Sequence, residues 1–117
     1  MSYDVSFCVK IENVDDYFSV GHCNANIIYN VWQLIRESSG WDIKNGVGEL
    51  LTELIPKIRN GLNELTNNPN KYRNLESPNK WGTISGVKQF YHDILFAYTE
   101  FKEDYPRLVE ITRVIVC

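Results

Sequence analysis

The stretch YDVSFCVKIE, residues 3–12, alternates without a break. Tyr3, Val5, Phe7, Val9 and Ile11 fall on one side of an extended chain, and Asp4, Ser6, Cys8, Lys10 and Glu12 on the other. Successive side chains of a strand point to opposite faces, so the pattern specifies a strand with one face on a core and one in water. Such a strand needs partners and an apolar cover. The NVDD that follows reads as a turn, and YFSVGHC, residues 17–23, returns antiparallel. Gly21 weakens this second strand and marks a bulge.

Helices supply the cover. IIYNVWQLIRESSG sets Ile28, Val31, Trp32 and Ile35 at helical spacing, with Gly40 as a C-cap. WDIKNGVG reads as a loop. From Glu49 on, Leu51, Leu54, Ile55, Ile58, Leu62 and Leu65 form one apolar stripe. Pro56 lies inside it and predicts a kink or break near residues 52–55. TNNPN stops that helix. Thr83 is the N-cap of a third helix, which carries Val87, Phe90, Tyr91, Ile94, Leu95 and Tyr98 inward and is ended by Pro106. The tail RLVEITRVIV is rich in β-branched residues and reads as a final strand. The expected fold is α+β, one domain over residues 1–117. A small antiparallel sheet, the N-terminal hairpin plus the C-terminal strand, carries about three helices on one face, in the order β-β-α-α-α-β. A chain of this size buries roughly two-thirds of its unfolded surface and folds without a metal or a disulfide.

The formal net charge is −3, which argues against binding duplex nucleic acid. The charge is uneven. Residues 1–56 hold three basic and eight acidic side chains, residues 57–92 six and two, and residues 93–117 three and five. The middle block alone is positive, at +4. Cys8, Cys23 and Cys117 fit neither a zinc site nor a redox pair, so reduced thiols in a cytoplasm are expected, with no metal and no cofactor. No apolar run approaches a membrane span. His22 and Cys23 are adjacent on a strand and point apart, and His92 beside Asp93 has the wrong spacing for a shared helical face. No catalytic constellation emerges, and no enzyme is expected. GVGE follows no strand and reads as a plain helix entry.

The positive block contains NPNKYRNLESPNKWGT, residues 68–83. Trp32 and Tyr91 fall on core faces, whereas Trp41 and Trp81 lie in loops, where a ring either lids a core or meets a ligand. Trp81 stands beside Lys80 and before Gly82-Thr83 at a helix start. A flat ring stacks on a base, while lysine and a helix N-terminus hold phosphate. Tyr72 and Arg73 offer a second stacking face and a bidentate charge. Arg107 and Arg113, six apart, share one face of the expected last strand. The bland alternatives are a solvated helix face with its loop, and two exposed arginines on a sheet rim.

LIPKIRNGLNEL, NPNKY, SPNKWGT and VEITR resemble a family of small phage proteins over about residues 45–113. That family shows a similar helix, an NP-x-x-Y turn, an NGWGT-like helix entry and a short terminal strand ending near arginine. It is identified here with the Thoeris anti-defence sponges, which sequester a cyclic ADP-ribose-type signal without cleaving it. Asn79, Trp81, Gly82, Thr83 and Arg113 match the motif, and Lys80 stands where glycine is commoner. The resemblance implies a counter-defence protein in the host bacterial cytoplasm that binds a small anionic nucleotide. Tyr72, Arg73, Asn79, Lys80, Trp81, Thr83, Arg107 and Arg113 are its expected ligand-binding residues. A small domain encloses a ligand most easily across a subunit interface, so a homo-oligomer follows, with the C-terminal strand as the pairing edge. The rival readings are an inhibitor that binds a host defence protein through the basic loop, and a small enzyme acting on the same nucleotide.

Overall fold

The computed structural model describes residues 2–10, 17–45, 48–77 and 82–117. The expected turn at NVDD and the candidate residues Asn79, Lys80 and Trp81 lie outside them, as does the side chain of His22. The chain is α+β: a four-stranded antiparallel sheet with three helices. β1 (Ser2–Lys10) pairs with β2 (Tyr17–Ile28) as a hairpin. α1 (Trp32–Ser39), a two-residue β3 (Glu49–Leu50), α2 (Leu51–Asn67), α3 (Ile84–Asp104) and β4 (Arg113–Val116) follow. The sheet order is β2-β1-β4-β3.

The alternation in β1 holds at its centre, although Cys8, expected on the water face, is buried and Tyr3 and Val9 are only half-buried. Val5 and Phe7 are buried, and Phe7 meets Phe101 of α3 edge-on at 5.5 Å between ring centroids. Opposite β1, the register slips between Asp4 and Ser6 and again between Phe7, across from Gly21, and Cys8, across from Ser19. The bulge expected at Gly21 is therefore present. These slips let a 12-residue strand pair with a 9-residue one, and β2 runs through Ile28, beyond the expected end. Ile28 thus belongs to the sheet and not to α1.

α1 ends on Gly40, whose φ of 81° and N–H donation to the Arg36 carbonyl make the expected left-handed cap. α2 buries Leu51, Leu54, Ile55, Ile58 and Leu65, the predicted stripe, while Leu62 is half-buried. Pro56 falls within α2, and the helix runs on through it, starting five residues before. Gly61, on the same face, sits where α2 meets both other helices. A Cβ there would stand 2.8 Å from Ser39 Cβ and 2.8 Å from the Tyr91 ring. Trp41 is no lid but core, fully buried and stacked on Phe90 at 6.1 Å. Its Nε1 is buried with no partner among the described residues.

The tail departs from expectation. Only Arg113–Val116 is strand, and Val109–Ile111 is a 3-10 turn that buries Val109. The Thr112 hydroxyl donates to the Leu108 carbonyl at 2.6 Å, and Leu51 N–H donates to the Thr112 carbonyl. β4 lies between β1 and β3, which pairs with its Arg113 and Val114, so the C-terminal strand is an inner strand over those residues and not the open edge expected. Among the described residues no helix is long and apolar enough to cross a membrane.

Candidate functional site

The connector from α2 to α3 is folded into turns. Asn68 closes α2 by donating its N–H to the Glu64 carbonyl, and Pro69–Lys71 and Arg73–Leu75 form two 3-10 turns. Proline is suited to the first position of such a turn because its missing N–H is not needed there. Beyond residues 78–81, the Gly82 carbonyl accepts the Ser77 N–H at 2.8 Å. Gly82 packs on Val31 so closely that a Cβ would overlap the valine side chain.

Thr83 caps α3 as expected, its Oγ1 accepting the Gly86 N–H at 3.0 Å. A capping box would place Glu or Gln at the position of Gly86, and neither is there. Glu76 supplies the missing carboxylate from the connector. Its Oε2 accepts the Ile84 N–H at 2.8 Å, and its Oε1 lies 3.7 Å from Arg73 Nη1. Sequence reasoning missed this role. The signal is only an acidic residue eight positions before the first helical residue, a spacing with no regular repeat behind it.

Arg73, Glu76, Ile84, Ser85 and Lys88 line a cleft of about 300 Å³, floored by Leu65 and Pro69. Arg73 remains more than half exposed although it also donates from Nε to Asn70. Lys88, one turn into α3, adds a second cation that sequence reasoning passed over. Two cations and a helix start make this cleft attractive to an anion. Glu76 already occupies part of that field.

Of the other expected site residues that are described, Tyr72, Arg107 and Arg113 do not converge here. Tyr72 is only 3% exposed and its ring belongs to the core, so it offers no open face for a base. The tyrosine is drawn in because its backbone closes the first 3-10 turn onto Pro69, at the back of the connector. Arg107 lies in the exposed turn after α3, not on a strand, and so shares no strand face with Arg113. Arg113 donates its guanidinium to the Gly48 carbonyl, beside the start of α2. Arg73 stands beyond the other end of α2, a helix of 17 residues and about 25 Å.

Burial pushes the Cys23 thiol up to about 11, helped by Asp93 and opposed by a backbone hydrogen bond from Ala25. Cys8 is likewise raised, by burial first and Cys117 second. Burial pushes the Tyr91 phenol up to about 12, against hydrogen bonds from Ser38 and Ser39 and with a further push from Tyr72. The described residues contain no group of three His, Cys, Asp or Glu side chains able to hold a metal ion. Trp32 is half-buried, with Arg36 and Lys44 over its ring at 4.9 and 4.6 Å. Compared with protein-family models, curated proteins and solved structures, the chain finds no match.

Proposed function

We propose that this chain is a phage-encoded counter-defence protein of the host bacterial cytoplasm. In this reading it binds and withholds a cyclic ADP-ribose-type nucleotide without cleaving it, as a homo-oligomer. The observation that carries the reading is the cleft between the connector and α3, where Arg73 and Lys88 stand beside the first turn of a 21-residue helix. A pyrophosphate is the anion such a pair of cations holds best, Arg73 by its fork and Lys88 as a point charge. The family-like NPNKY and SPNKWGT segments flank the same cleft in sequence. At about 300 Å³ the cleft is at the small end of ligand sites. It takes the phosphates of a nucleotide and leaves the rest to another surface, which a second copy supplies. Glu76 competes for the same cations, so Glu76→Gln tightens binding.

The test is to mix the protein with the cyclic nucleotide, measure binding by calorimetry, then heat-denature and identify what is released by mass spectrometry. Intact nucleotide is the expected result. An altered nucleotide overturns sequestration in favour of an enzyme. No bound nucleotide overturns the ligand and leaves the host-protein inhibitor.

A further inference from the structure

Among the described residues the sheet has one long edge without a partner strand. β2 stands at its end, and among the described residues no turn, loop or second strand outside β1 bonds to residues 17–27, while Ile28 leads into the 3-10 turn Tyr29–Val31. Free edges offer a row of unpaired N–H and C=O groups, and proteins guard them with lysine, proline or brevity. β2 uses none of these. Its 12 residues, YFSVGHCNANII, contain no Lys, Arg, Asp, Glu or Pro. At the opposite end of the sheet β3 is two residues long, and Glu49 sits on it. Among the described residues the bulges in β2 are the guard, and they leave two regular segments. Tyr17–Ser19 follows Lys10 to Cys8 in register, and Asn26–Ile28 follows Asp4 to Ser2.

We infer that β2 is a homodimer edge, pairing antiparallel with β2 of a second copy about a two-fold axis at the middle of the strand. The two regular segments lie symmetrically about that point, so Tyr17–Ser19 of one copy meets Asn26–Ile28 of the other. The partner is a second copy because the strand is self-complementary: its two regular segments fall opposite one another across the two-fold, and with no Lys, Arg, Asp or Glu in it no like charges face each other there. Phe18, 49% exposed, then lies opposite Ile27 and gains apolar cover. The pairing joins two four-stranded sheets into one of eight. It stands apart from the ligand reading and does not depend on it.

Ser19 and Asn26 are exposed and become cross-strand neighbours between copies. Ser19→Lys with Asn26→Lys sets like charges against each other at both ends of the interface. Ser19→Glu with Asn26→Lys sets opposite charges there. In both variants the Asn26→Lys change puts its charge beside Asp4 within its own chain. Light scattering on the full chain is expected to give a dimer for the wild type and the Glu/Lys variant, and a monomer for the Lys/Lys variant. Hydrogen exchange of the wild type provides a second readout should a variant fail to fold. Amides of residues 17–28 are expected to lose protection over a roughly hundredfold dilution, as mass action on a dimer requires. A monomeric wild type, a dimer that survives Lys/Lys, or dilution-independent exchange in β2 overturns the inference.

Discussion

Gly61 lies where three helices meet, and a single methyl group there decides a free energy. Replacing it with alanine favours the helix by about 1 kcal/mol. The new Cβ, however, meets Ser39 Cβ and the Tyr91 ring at 2.8 Å each. Neither is the far end of a flexible side chain, and overpacking of this kind costs about 1–3 kcal/mol. Gly61→Ala is therefore expected to be a net destabiliser by about 1 kcal/mol, read as a lower urea midpoint at unchanged slope. An equal or higher midpoint would show that the helices part at little cost. Tyr91 carries a second prediction. Its hydroxyl shares a hydrogen bond of 2.7 Å with Ser38 and donates to the Ile35 carbonyl. Its pKa is raised from 10.0 to about 12, so the folded state holds the proton more tightly than the unfolded chain. The stability this contributes is whole below pH 10 and is lost as pH rises towards about 12. Denaturation as a function of pH is expected to show that decline, and Tyr91→Phe is expected to flatten it.

At the scale of the element, α3 is the axis on which both core and cleft depend. Its start is held by two acceptors from outside the helix, Thr83 Oγ1 on Gly86 N–H and Glu76 Oε2 on Ile84 N–H. Thr83→Ala removes one of them and is expected to cost about 1 kcal/mol of stability. Thr83→Ser keeps the acceptor and is expected to restore most of the loss. Thermal unfolding of the pair separates the cap from any contact made by the threonine methyl, since only a cap is rescued by serine. β2 shows the opposite situation. Its length comes from register slips against β1, not from its own pattern, which is why the sequence reads it as ending at Cys23.

At the scale of the molecule, an extent of 45 by 26 by 20 Å sets the cationic candidates apart. α3, 21 residues and about 30 Å long, separates Thr83 from the turn that holds Arg107. Arg73 and Lys88 line the connector cleft and Arg113 does not, so on the proposed reading a ligand there would meet the first two alone. Arg73→Ala and Lys88→Ala are each expected to weaken nucleotide binding by roughly tenfold, the scale of one charge-assisted contact. Added salt is expected to shrink both effects. Arg113→Ala is expected to leave affinity unchanged and to lower thermal stability by freeing the Gly48 carbonyl. Calorimetry on the three variants decides between these roles, and an affinity loss confined to Arg113→Ala would move the site to the sheet.

The features legible in the sequence are periodic or local. The strand of β1, the apolar stripe of α2, the Gly40 cap and the Thr83 cap all follow from repeats of two or 3.6 residues and from capping chemistry within a few positions. The α+β class follows from them. Contacts between distant residues were left to the packing of the elements. Trp41 and Tyr72 look alike as loop aromatics in the sequence, yet both are core, because only the docked helices close over them. Glu76 acts on α3 across a turn with no fixed repeat, and Arg107 and Arg113 are parted by a 3-10 turn inside a run that reads as strand. β4 goes to the middle of the sheet and β2 to its edge because antiparallel pairing joins β4 to both β1 and β3. Burial and edge position are properties of packed elements, and no single segment encodes them.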